Sequence, residues 1–225
     1  MRKIKVFLMN ELKFQMKNAL FIKLFLPYLA IVSLILIVSW PGGDYPSFRK
    51  PQVSMALVYV QMIFLAYIGG RLAIESFLND EISLKDWLKY TPLTPIQIVI
   101  GKIAGIFLFT LIILFLSLPL CFLSYYIGGV YFDSIAILYS LMLISTVSFI
   151  NFGLSLQFIQ VDFSSFILTG IVFLFGLGLF LTRTSKEKFF YLNPLFFLLV
   201  FAVSLSTLFI FLKKLKNMKK EESNP

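Results

Sequence analysis

Ile96–Ser117 reads IQIVIGKIAGIFLFTLIILFLS and carries a single charge, Lys102. An apolar run of about 20 residues is long enough to cross the hydrocarbon core of a bilayer as a helix. The apolar residues are continuous and do not alternate with polar ones, which excludes a strand of a membrane β-barrel. Comparable runs lie at about 20–40, 53–74, 134–158, 163–181 and 193–212. Hydrophobic residues make up 59% of the 225 and charged residues only 14%, far from a soluble composition. The fold class expected is all-α: a polytopic integral membrane protein with six transmembrane helices in one transmembrane domain spanning 1–225.

The first polar interruption is the N-terminus, 1–18, MRKIKVFLMNELKFQMKN. Ile4, Phe7, Leu8 and Leu12 fall at helical spacing, and the basic residues lie largely off that stripe. Such a helix lies in the interface with its basic face towards anionic headgroups. A cleaved signal peptide is the rival, but Pro41-Gly42-Gly43-Asp44 after the first apolar run is not a small-residue cleavage site. Trp40 then serves as an interfacial anchor, and 41–52, with its prolines and glycines, forms a loop. The longest interruption is 75–95, ESFLNDEISLKDWLKYTPLTP. A hairpin turn needs only a few residues. The tail from 213, KKLKNMKKEESNP, is basic and then acidic, with a disordered end.

Six spans put both termini and the 75–95 segment on one side. That side holds fifteen of the Lys and Arg residues, from Arg2 to Lys220; the other holds Arg49, Lys50, Arg183, Lys186 and Lys188. The positive-inside bias therefore places both termini and 75–95 in the cytoplasm. It also accounts for the net charge of +9 without nucleic acid as a partner.

The chain has no histidine, and Cys121 is its only cysteine. Histidine-based zinc sites and Ser-His-Asp or Cys-His pairs are thereby excluded. Glu75, Asp80, Glu81 and Asp86 read as a solvated loop with helix-capping acids and no metal site. Arg71 and Glu75, four residues apart, can pair at the membrane edge. Gly101-Lys102 lacks the glycine and the Ser or Thr of a nucleotide loop, since Ile96 and Ile103 stand there. Gly101 and Gly105 form instead a small-residue pair that lets helices approach. Gln61, Asn151 and Gln157 are polar residues within the spans, candidates for a pathway or for interhelical hydrogen bonds. The expectation is a transport subunit without a catalytic site, metal or cofactor of its own.

Within 75–95, Asn79 or Asp80 can cap a short helix, and Leu84 and Leu88 lie a turn apart beside Trp87. Thr94 can cap the third span, with Pro95 at its first position. On these grounds alone the helix serves equally as a docking element or as one lying on the bilayer through Trp87 and Tyr90. The run Glu81 to Pro95, EISLKDWLKYTPLTP, followed by Gly101-Lys102, resembles the permeases of the ABC type-2 exporter family. The basic N-terminal helix, the six spans and Asn193-Pro194 before the last span extend the likeness along the chain. Ser83-Leu84 departs from the Gly-Thr that the family often shows.

The resemblance implies a cytoplasmic coupling helix within 80–92, with Glu81, Leu84, Asp86, Trp87, Leu88, Thr91 and Pro92 contacting a separate ATP-binding subunit. It implies a second permease copy, as homodimer or heterodimer, and a prokaryotic cell membrane as the location. The alternative is an ion-coupled or facilitative secondary transporter acting without an ATPase, which the absence of mid-membrane acids and of a visible inverted repeat disfavours.

Overall fold

The computed structural model describes residues 8–10, 12, 13, 16, 19–38, 51–76, 94–128, 132–156, 161–181 and 194–223. Within these residues the chain is helical almost throughout. The principal helices are α1 (Ala19–Val38), α2 (Pro51–Glu75), α3 (Pro95–Gly128), α4 (Phe132–Ser155), α5 (Val161–Leu181) and α6 (Pro194–Ser223). Four of them, α2, α3, α4 and α6, are long and apolar enough to cross a membrane. The apolar stretches described in α1 and α5, Ile22–Val38 and Phe163–Leu179, are shorter.

Two helices run past their expected ends. α3 continues beyond Ser117 and through Pro119 to Gly128, 34 residues in all, or about 51 Å. Proline removes one main-chain donor, yet membrane helices tolerate it where neighbouring helices and side-chain hydroxyls re-satisfy the backbone. α6 continues beyond Leu212 as a single helix to Ser223, so the basic part of the tail is helical, and 224–225 lie outside the described residues. Leu215 and Phe211, one turn apart, are buried, and Lys213, Lys214 and Lys216 are exposed. The packing of Leu215 draws the helix beyond the apolar span.

α2 is the centre of the bundle and packs against α1, α3, α4 and α5. It runs parallel to α4. Tyr139 meets Gln61, Thr146 and Ile150 lie beside Gly69, and Gly153 lies against Gly70 and Ala73. A Cβ added at Gly153 would overlap the main chain of Gly70 and stand 2.8 Å from the Ala73 Cβ. A Cβ at Gly70 would meet Leu168 at 2.7 Å and the Phe149 carbonyl at 3.1 Å. Small residues at a crossing let helix backbones approach closely where lipid supplies no hydrophobic drive.

α3 and α5 run antiparallel to α2. Lys102 reaches Ser76, and Ser117 reaches Gln61. On α5, Leu168 lies beside Gly70, while Gly176 lies beside Ile63. α6 sets out level with the end of α5, where Phe175, Phe196 and Phe197 stack and cross within 6.1 Å, and turns back along α4. Faces turned away from the bundle expose Ile31 and Leu34 on α1, Phe115 on α3, Phe166 and Phe173 on α5, and Leu199 and Phe209 on α6. In a bilayer these faces meet lipid tails at no cost.

Candidate functional site

The bundle is apolar except at a few levels, and two of these tie helices together through polar groups. At the first, Gln61 of α2 is fully buried and serves four helices. Its amide nitrogen donates to the Tyr28 hydroxyl of α1 at 3.0 Å and to the Ser117 hydroxyl of α3 at 3.2 Å. Its carbonyl accepts from the Tyr139 hydroxyl of α4 at 3.3 Å. Tyr28 in turn donates to Ser117 at 2.8 Å, and Ser117 donates to the Leu114 carbonyl at 2.8 Å. Each amide and hydroxyl proton in this junction has an acceptor. A satisfied network of this kind rigidifies a core, whereas a half-satisfied one is costly in low dielectric.

Pro27 precedes Tyr28, and Pro119 stands two residues beyond Ser117. Each proline leaves an upstream carbonyl without its usual helical donor. The Ser117 hydroxyl donates to the Leu114 carbonyl, next to the Phe115 carbonyl whose helical donor Pro119 lacks. Tyr28 also packs against Phe25 and Phe64, with ring centroids 6.4 Å and 5.9 Å away.

The second level is charged and sits where α2 ends and α3 begins. The Lys102 ammonium, 2% exposed, donates to the Ser76 carbonyl at 2.6 Å. The Ser76 hydroxyl donates to the Ala73 carbonyl at 2.9 Å. The last carbonyls of a helix lack intrahelical donors and carry its negative dipole end, so a buried ammonium is well placed there. Arg71 and Glu75 pair at 2.8 Å on the same turn, with side chains 23% and 9% exposed. That burial shields the pair from the screening that weakens exposed ones. The start of α3 is closed by a reciprocal cap. The Gln97 amide donates to the Thr94 hydroxyl at 3.3 Å, and the Thr94 amide donates to the Gln97 side chain at 3.0 Å. Thr94 thus caps α3 ahead of Pro95, as its sequence position suggested. Residues 77–93 connect these two fixed ends.

α4 carries a third polar element. Ser145, Thr146, Ser148 and Asn151 are all buried on it. The three hydroxyls donate to main-chain carbonyls a turn back, at 2.8–2.9 Å. The Asn151 side-chain oxygen is buried without a hydrogen-bond partner among the described residues.

The candidates from the sequence divide accordingly. Gln61 lies at the four-helix junction, and Asn151 lies on α4 apart from it. Gly101 and Gly105 are buried on α3. Gln157 and the coupling residues Glu81, Leu84, Asp86, Trp87, Leu88, Thr91 and Pro92 lie outside the described residues. Tyr28, Ser117 and Tyr139 were missed, since a lone hydroxyl in an apolar run carries no periodic signal. Lys102 was compared with a nucleotide loop and with the family's third-span start, and its place at the end of α2 was not foreseen. Among the described residues no group of His, Cys, Asp or Glu is placed to hold a metal ion. No known protein family matches the chain, and no curated protein is similar to it.

Proposed function

We propose that the chain is the membrane-spanning permease subunit of an ATP-driven exporter. It works as a dimer and receives its energy from a separate ATP-binding subunit docked on the cytoplasmic segment within 77–93. The observation that carries this reading is the brace at the two ends of that segment. Lys102 on α3 and Ser76 at the end of α2 are joined at 2.6 Å, beside the Arg71–Glu75 pair. A load applied to 77–93 therefore acts on both helices together, which is what a receiver of mechanical work requires. A loop that only joins two spans needs neither this length nor a fixed base.

The permease has six spans in this reading. α1 and α5 are helices of 20 and 21 residues, apolar over their described lengths, and they match the bilayer core. Both termini are cytoplasmic by the distribution of lysine and arginine. The pathway forms between two copies, and the exposed faces that do not meet the second copy meet lipid.

Purification from native membranes in mild detergent tests the assignment. A nucleotide-binding subunit is expected in one-to-one ratio with the chain. Replacing Asp86, Trp87 and Leu88 together by alanine is expected to release that subunit while the chain stays inserted. Retention of the subunit by the triple variant, or its absence from the parent preparation, would overturn the proposal.

A further inference from the structure

α2 and α3 are joined by polar groups at two levels. At one, Gln61 donates to Ser117 at 3.2 Å; at the other, Lys102 donates to the Ser76 carbonyl at 2.6 Å. Gln61 and Ser76 are fifteen residues apart on α2, and Lys102 and Ser117 are fifteen residues apart on α3. In helices of the same rise both intervals are about 22 Å. The two ties therefore sit in a single antiparallel register, with no accumulated shift between them.

That register sets Leu65 level with Ile113, Ile68 level with Thr110, and Leu72 level with Ile106. All six are buried, at 0–2% exposure. The steps from Gln61 to Ser76 are four, three, four and four residues, and the steps from Ser117 back to Lys102 are the same. Both rows follow one helix face. The pair is an apolar seam closed at each end by a hydrogen bond. Sliding it by one turn would break both ties at once and leave the Lys102 ammonium without the Ser76 carbonyl, against apolar neighbours.

We propose that α2 and α3 form one rigid hairpin that does not slide, and that displacement of 77–93 emerges undiminished at Gln61. There the hairpin is attached to its neighbours α1 and α4 through the Tyr28 and Tyr139 hydroxyls. No moving contact of the molecule lies between α2 and α3. The proposal rests on the exporter reading only for the source of the displacement.

Cysteine pairs in a Cys121→Ser background, treated with a short bifunctional thiol reagent in native membranes, test the hairpin. Leu72→Cys is expected to cross-link with Ile106→Cys at least about tenfold faster than with Thr110→Cys, which the register sets one turn away. Leu65→Cys is expected to cross-link with Ile113→Cys. Adding Lys102→Met is expected to remove the preference of Leu72→Cys for its level partner while leaving the Leu65–Ile113 product unchanged. Ser117→Ala is expected to do the converse, and it keeps the test open should the lysine variant fail to insert. Equal reaction of Leu72→Cys with both partners in the parent chain would overturn the proposal. So would a pattern that neither variant alters. The readout needs no ATP-binding subunit, so failure here is distinct from failure of the functional reading.

Discussion

Gln61 donates both amide protons to hydroxyls on other helices and accepts a third. Replacement by leucine keeps the bulk and removes all three bonds from the buried junction at once. A buried group left unsatisfied costs about 1–3 kcal/mol. Tyr139→Phe removes only the longest of the bonds, and single interhelical bonds in membranes average about 0.6 kcal/mol. Thermal unfolding in detergent is expected to rank the two in that order, with Gln61→Leu well below the parent and Tyr139→Phe close to it. Equal losses would show that the junction does not act through its bonds. Gln61 was legible in the sequence because an amide in an apolar run is costly unless paired. Its partners were not, because a tyrosine or serine in a span has local ways to satisfy its hydroxyl. Only the fold decides which of them turns inward.

At the scale of elements, the closest contact is the crossing of α2 and α4. Gly153 abuts the main chain of Gly70 and the Ala73 methyl, and neither is the flexible end of a side chain. Gly153→Ala therefore forces the helices apart and is expected to cost about 1–3 kcal/mol, the range for overpacked cores. Gly170 on α5 is the control, with nothing within 4 Å of an added Cβ. Gly170→Ala is expected to be neutral, or stabilising by up to about 1 kcal/mol through helix propensity. Melting temperatures of the two variants check both signs. The second span was expected over 53–74, and the structure carries its helix, with Gly69 and Gly70 inside it, to Glu75. Small residues announce an end or a crossing equally well, and the choice depends on a partner helix far along the chain. The apolar runs located the helices within a few residues, save for the far ends of α3 and α6. Those continue because Pro119 does not break α3 and Leu215 packs α6 inward.

At the scale of the molecule, the number of crossings decides which groups share a compartment. Four helices satisfy length and apolarity on their own, and α1 and α5 decide between four spans and six. If α1 and α5 did not cross, Asn217 near the end of α6 would lie on the opposite side of the membrane from Lys85. If both cross, the two residues share a side. The proposed exporter requires the second arrangement. α5 descends antiparallel to α2, from the level of Gly70 to that of Ile63, and α6 starts where α5 ends. A segment merely lying on the surface would not keep that register with a buried helix. In a Cys121→Ser background, Lys85→Cys and Asn217→Cys are expected to react with a membrane-impermeant maleimide from the cytoplasmic face, in inverted vesicles. Ser47→Cys is expected to react only in right-side-out vesicles. Labelling of Asn217→Cys and Lys85→Cys from opposite faces would remove α5 as a crossing, and with it the shared cytoplasmic end on which the exporter reading depends.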